Sequence, residues 1–150
     1  PVKTFLLFRN NFYGLGLKKM LEELGIAFKG TGSILDWPNV VTFLKRLDKD
    51  QACVKDLPRL PPRARQYLST VLDRYEAKEL LEPQIQLMSI HRAKGKEADR
   101  VILFQAMARE TYRAFLKHPD EEHRVWYVGI TRAREELVLV RTSHNDFYPI

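Results

Sequence analysis

Lys3-Thr4-Phe5-Leu6-Leu7-Phe8, then Asn10-Asn11, then a stretch carrying Leu17, Met20, Leu21 and Leu24, then Gly25-Ile26-Ala27-Phe28: this segment decides the fold class. The first run is short, aromatic and almost wholly apolar, which suits a buried strand, and the polar Asn10-Asn11 pair stops it. From Leu15 onward apolar residues recur at three- and four-residue steps, the period of a helix with one buried face, and Gly25 supplies its C-terminal stop. Ile26-Ala27-Phe28 reads as a second short strand. Strand, helix and strand with tight connections form a βαβ pattern, which predicts an α/β fold with a mainly parallel sheet flanked by helices.

Working outward, Gly30, Gly32 and Ser33 mark a loop. Asp36-Trp37-Pro38 then reads as a helix entry, with Asp36 as the cap and Pro38 in the first turn, followed by an apolar face of Val40, Val41, Phe43, Leu44 and Leu47. Residues 48–62 hold charges and three prolines without a period, so they are predicted to form a linker or loop. Helical spacing returns over 63–82 through Tyr67, Leu68, Val71, Leu72 and Tyr75. Ile85 to Ile90 reads as a strand, His91 to Glu97 as a polar loop or single turn, and Val101-Ile102-Leu103-Phe104 as a buried strand. Pro119-Asp120-Glu121-Glu122 opens a helix, because proline fits the first turn and carboxylates there complement the dipole. That helix carries Val125, Trp126, Val128 and Gly129 into Thr131-Arg132-Ala133-Arg134, and Leu137-Val138-Leu139-Val140 reads as a last buried strand. Ligands of open parallel sheets bind at loops on strand ends, which singles out the loop from His91 and the segment near Arg132.

The 150 residues suit one domain with one core, at 45% apolar and 29% charged. No apolar run exceeds four residues, against roughly 20 for a bilayer span, and no signal segment opens the chain, so a cytoplasmic protein without membrane association is expected. The lone Cys53 rules out an internal disulfide or a cysteine zinc site, and the histidines at 91, 118, 123 and 144 lack metalloprotease spacing. The net charge of +6 lies in the first half: residues 1–75 carry 13 basic and 7 acidic side chains, residues 76–150 carry 12 of each. Such a surplus points toward a polyanionic partner, although many basic proteins bind no nucleic acid.

Two long blocks carry a resemblance. Gln86-Leu87-Met88-Ser89-Ile90-His91-Arg92-Ala93-Lys94-Gly95-Lys96-Glu97, continuing to Leu103, resembles motif V of the UvrD/Rep-type superfamily 1 DNA helicases. Glu121-Glu122-His123-Arg124-Val125-Trp126-Tyr127-Val128-Gly129-Ile130-Thr131-Arg132-Ala133-Arg134, continuing to Leu137, resembles motif VI. Phe8-Arg9-Asn10-Asn11, with the helix and strand after it, is similar to an earlier family block that opens Tyr-Arg-x-Asn. The resembling blocks cover residues 3–47 and 84–142, and residues 48–83 stand where the family usually inserts a large accessory domain.

The resemblance implies one domain over residues 1–150, the second of two RecA-like motor domains. In that family ATP and Mg²⁺ are bound mainly by the first motor domain, which brings the phosphate-binding loop. No G-x-x-x-x-G-K-[ST] occurs in this chain, so an expressed fragment or a piece of a split protein, inactive by itself, is expected. By the same resemblance Arg132 is the catalytic arginine finger reaching the γ-phosphate, and Gly95, Glu97 and Arg132 meet ATP, Glu97 through a ribose hydroxyl. Ser89 and His91, with Arg9 and Asn11, face single-stranded DNA. The implied partners are single-stranded DNA and duplex junctions, ATP, and the first RecA-like domain; the parent would be an ATP-dependent helicase.

Plainer readings stand beside these. Arg132 also suits a surface cation near a helix end, Glu97 a solvated loop acid, and His91 a strand-end histidine bonded to a carbonyl. Lys96 stands where the family usually has leucine, Ala98 where it often has an aromatic, and Trp37 suits either stacking or the core. Glu76-Ala77-Lys78 matches the end of a nuclease motif without the acids to complete a metal site, and Arg59, Arg63 and Arg65 form a basic cluster that suits solvent. The alternative to a motor domain is a non-catalytic nucleic-acid-binding or partner-docking module with the same fold.

Overall fold

The computed structural model describes residues 1–143 and 146–150, so His144 lies outside the described residues. Five strands, β1 (Thr4–Phe8), β2 (Phe28–Lys29), β3 (Ile85–Ser89), β4 (Ala98–Phe104) and β5 (Ala133–Val140), form a parallel sheet in the order β2-β3-β1-β4-β5. Leu6 pairs with Ile102 and Leu103 with Leu139, while Phe28 pairs with Ile85. Among the described residues six α-helices accompany the strands: α1 (Asn11–Glu23), α2 (Pro38–Asp48), α3 (Pro62–Arg74), α4 (Ala77–Leu81), α5 (Arg109–Lys117) and α6 (Pro119–Ile130). This is the α/β arrangement of a RecA-like domain. The chain divides into two compact units, Pro1–Leu17 with Leu87–Ile150, and Lys18–Gln86.

In the first unit the central strands bury Phe5, Leu7, Val101 and Leu103 completely, and Trp126 of α6 is fully buried with them. Each such side chain contributes roughly 1.5–3 kcal/mol by leaving water. Pro119 occupies the first turn of α6 and Asp120, Glu121 and Glu122 follow it, so the helix starts where the sequence predicts. Packing at α1 is tight on one side only. A Cβ at Gly14 would lie 2.3 Å from the Phe8 ring, whereas one at Gly16 would meet nothing within 4 Å. Gly14→Ala is therefore expected to destabilise the chain by about 1–3 kcal/mol through overpacking. Gly16→Ala is expected to stabilise it by about 0.5–1 kcal/mol, because a helix-interior glycine carries an entropic cost. Denaturant titration of the two variants checks both signs.

In the second unit Gly25 ends α1 as predicted. Its φ of +65° is one that glycine adopts freely, and Ile26 N–H bonds Leu21 C=O at 3.0 Å while Gly25 N–H bonds Glu22 C=O at 3.1 Å, the paired bonds of a Schellman cap. Tyr67 from α3 packs on Phe28 and donates its hydroxyl to the Ile26 carbonyl at 2.8 Å. Burial pushes that phenol well above the usual tyrosine range. Residues 49–61, after the end of α2 at Asp48, form turns and coil with one short helical turn at Val54–Asp56.

Several sequence expectations need correction. The strand expected at Ile26–Phe28 is Phe28–Lys29, because the Tyr67 and Tyr75 hydroxyls take the Ile26 carbonyl and the Ala27 N–H. The helix expected over 63–82 is two helices. Tyr75 and Glu76 are extended, with ψ of 150° and 155°, and the Glu76 N–H donates to the Glu79 carboxylate to start α4. Asp36 does not cap α2; it accepts the Gly30 N–H at 2.7 Å from within a turn that Ser33 caps. Half-buried Trp37 takes the capping position with no side-chain bond. β5 is not fully buried, since it has one neighbour and lies at the sheet edge with Leu139 exposed.

Candidate functional site

The strand registers bring the candidate residues to two ends of the sheet in the first unit. Ile90 N–H donates to Phe8 C=O at 2.9 Å, so the segments leaving β1 and β3 emerge side by side. Arg9 and Asn11 thus share the carboxyl rim with Ser89 and His91. Ala98 pairs with Ala133, and Ala98 N–H donates to Arg132 C=O at 3.1 Å. Glu97 and Arg132 therefore meet at the opposite, amino rim of β4 and β5. Residues 90–97 connect the rims in eight residues, where a helix is usual in a parallel crossover, and the fully buried Ala93 holds the connection down.

At the amino rim the sequence after α6 folds back on its last turn. Arg132 donates through Nε to Val128 C=O at 3.0 Å, through one Nη to Lys96 C=O at 3.3 Å, and through the other to Thr131 Oγ1 at 2.9 Å. The Thr131 hydroxyl donates in turn to the carbonyls of Tyr127 and Val128, at 2.9 and 3.2 Å. The end of a helix concentrates carbonyl partial charge, which favours a cation there. A guanidinium has five N–H donors in a fixed plane, so three anchor it and two remain for an anion. The Lys96 carbonyl is the link by which Gly95, Glu97 and Arg132 come together. Gly95 turns the loop at φ +79°, a conformation that side-chain-bearing residues rarely adopt, and Glu97 is exposed beside it. Arg134 Nε lies 3.9 Å from both Glu97 and Asp99. It adds a second cation to this rim, one that the Thr-Arg-Ala-Arg spelling displayed but that received no role.

The carboxyl rim is arranged differently from the sequence reading. Arg9 does not extend freely; its Nε and one Nη donate to the Glu122 carboxylate at 3.1 and 2.7 Å, and the two side chains are 18% and 9% exposed. Glu122 also accepts the Trp126 indole N–H at 3.1 Å. Asn11 is exposed as the first residue of α1 rather than a strand-end residue, and its neighbour Asn10 does the local bonding. Asn10 accepts the Ala108 N–H at 2.8 Å and donates to the Thr111 hydroxyl at 2.9 Å. Ser89 Oγ accepts the Arg92 N–H at 3.3 Å and thereby shapes the turn that presents exposed His91. Exposed Asn11 and His91 and half-buried Ser89 thus lie on segments that leave the sheet side by side, while Arg9 is bound to Glu122. Sequence reasoning missed Glu122, although Glu122, Trp126 and Gly129 fall on one buried face of α6 at helical spacing.

Among the described residues no group of three His, Cys, Asp or Glu side chains stands together as a metal site. No helix among the described residues is long and apolar enough to cross a membrane.

Comparison with known proteins bears on this arrangement. Residues 45–144 match the family of the UvrD-like helicase C-terminal domain, a span that contains Ser89, His91, Gly95, Glu97 and Arg132. The chain is similar to the ATP-dependent DNA helicase Rep of Escherichia coli K12, 31% identical over 93% of this chain and 21% of that protein. It is also similar to the Rep helicase of Salmonella typhimurium, 30% identical over the same shares. The chain therefore spans about a fifth of the length of these relatives. With the family match taking in well over half of its residues, the chain belongs to the UvrD-like helicase C-terminal domain family.

Proposed function

We propose that this chain is the second RecA-like domain of an ATP-dependent DNA helicase, completing from its amino rim an ATP site whose phosphate loop and Mg²⁺ ligands lie on the first motor domain. The observation that carries the reading is the anchored Arg132 guanidinium, with two donors to spare and Gly95 and Glu97 beside it. A preorganised planar cation suits charge developing on a transferred phosphoryl group, since it needs no reorganisation at the moment of reaction. Gly95 lets backbone approach the nucleotide, and the exposed Glu97 carboxylate suits a ribose hydroxyl. Bound Mg²⁺ supplies neutralisation of the β- and γ-phosphate oxygens.

At the carboxyl rim, Ser89, His91 and Asn11 offer short polar groups that suit single-strand phosphates without reading bases. Arg9 serves there as a positioning residue, tying the end of β1 to α6 through Glu122. The loop 90–97 has one end at each rim, so a shift imposed by nucleotide on Glu97 is transmitted to His91 through few intervening residues. Duplex junctions and the first RecA-like domain are the partners this reading requires.

Half of an active site should not turn over. The 150-residue chain alone is expected to show no ATPase activity with or without single-stranded DNA, measured by phosphate release. Turnover that survives rigorous purification and persists in Arg132→Ala would contradict the half-site reading. Strong single-strand binding by a parent that never hydrolyses ATP would favour the non-catalytic module.

A further inference from the structure

Phe12 is 76% exposed, the most exposed large apolar side chain among the described residues. A single exposed aromatic is ordinary; its surroundings are what distinguish this one. It is the second residue of α1, directly after Asn11 at the carboxyl rim, and its backbone is fixed. The Asn10 carbonyl accepts the Tyr13 and Gly14 N–H groups at 3.0 and 3.3 Å, and the Asn10 side chain is bonded to Ala108 and Thr111. Tyr13 donates to Met107 C=O at 3.3 Å, and its ring meets that of Phe12 edge-on, centroids 5.4 Å apart. The Phe12 ring thus stands on a rigid base with its outer face toward solvent.

One turn further on, Gly16 occupies an open helical position where a side chain would meet nothing. No packing demand explains a glycine there, and glycine is the costlier choice inside a helix. Helical side chains lean back over the preceding turn, so a longer residue at 16 would cover residue 12. Glycine leaves the aromatic face open. Two cations belong to the same rim: Arg92, whose N–H bonds Ser89 in the turn after β3, and Arg109 at the start of α5, directly after the Ala108 N–H that bonds Asn10. Both are exposed and have no ion-pair partner among the described residues. An exposed aromatic set among unpaired cations is the combination that holds single strands, stacking for the bases and charge for the phosphates.

We propose that Phe12 is a base-stacking platform for single-stranded nucleic acid, kept open by Gly16, with Arg92 and Arg109 engaging the flanking phosphates. This rests on the reading of the carboxyl rim as the strand-binding edge and adds to it a contact made to bases. The test uses the full-length parent protein and fluorescence anisotropy with an oligothymidylate and an abasic strand of the same length. Phe12→Ala is expected to weaken oligothymidylate binding roughly five- to 150-fold, Phe12→Trp to retain it, and the abasic strand to bind the wild type and Phe12→Ala alike. Gly16→Leu is expected to raise the thermal midpoint and yet weaken oligothymidylate binding, a combination that a purely structural role does not produce. Undiminished binding by Phe12→Ala in a parent that binds single strands would overturn the platform and leave the rim reading intact. A parent that binds no single strand at all would overturn both.

Discussion

Replacing Arg132 with alanine in the full-length parent is expected to lower ATP turnover by roughly 10³–10⁵-fold, the range for an arginine finger, while ATP affinity changes little. The separation follows from the chemistry. The bulk of nucleotide binding is assigned to the other motor domain, whereas the planar cation acts where charge develops on the transferred phosphoryl group. Lysine at the same position is expected to restore little, because it cannot keep three bonds to Val128, Lys96 and Thr131 and still offer a donor pair in one plane. Steady-state phosphate release together with equilibrium binding of a fluorescent nucleotide separates the two effects. Loss of both in parallel would point instead to damage of the turn between α6 and β5.

The second large effect concerns stability. Glu122→Ala is expected to destabilise the chain by about 3–5 kcal/mol, since it strands the half-buried Arg9 charge and leaves the buried Trp126 indole N–H without its acceptor. Against a typical domain stability of about 5–15 kcal/mol this is a large fraction. The double variant Arg9→Met with Glu122→Leu should recover much of the loss, because removing both charges avoids the uncompensated one. Denaturant unfolding followed by tryptophan fluorescence measures both, and a Glu122→Ala variant within 1 kcal/mol of wild type, an amount typical of an exposed pair, would show the pair to be a surface contact.

What the sequence made legible, and what it did not, divides along the distance over which each feature is determined. β1, the Val101–Phe104 part of β4, the Gly25 stop and the Pro119 start depend on residues within a few positions of one another, and they lie where periodicity and cap chemistry predict; β4 itself begins three residues earlier, at Ala98, where pairing with β5 extends it. α5 is short: Tyr112, Phe115 and Leu116 are helically spaced, but they span little more than one turn among five charged or polar residues, and only Phe115 is buried, with Tyr112 packed beside it. The start of β2 depends on the hydroxyls of Tyr67 and Tyr75, 41 and 48 positions further along the chain, which no local pattern announces; the break between α3 and α4 is local, at extended Tyr75 and Glu76 with the Glu79 cap, and was masked by apolar spacing that continues up to Tyr75. The candidate site shows the same division. The Thr131-Arg132 and Gly95 segments are close-range features, and their shared link, the Lys96 carbonyl, follows from strand register. The capture of Arg9 by Glu122 joins residues 113 positions apart, so a reading that placed Arg9 toward solvent had no means of seeing it. Family resemblance supplied roles for Arg9 and Asn11 and passed over Asn10, which falls at the variable position of Tyr-Arg-x-Asn and whose side chain bonds Ala108 and Thr111.

The central claim is that Arg132 completes, from this chain, an ATP site held mainly by another domain. Its most direct test is calorimetric binding of ADP with aluminium fluoride, a mimic of the transferring phosphoryl group, to the full-length parent and its Arg132→Ala variant. The account predicts that the variant loses the tight binding of the mimic while ADP alone binds as in the wild type. Equal affinity of both proteins for the mimic would contradict it.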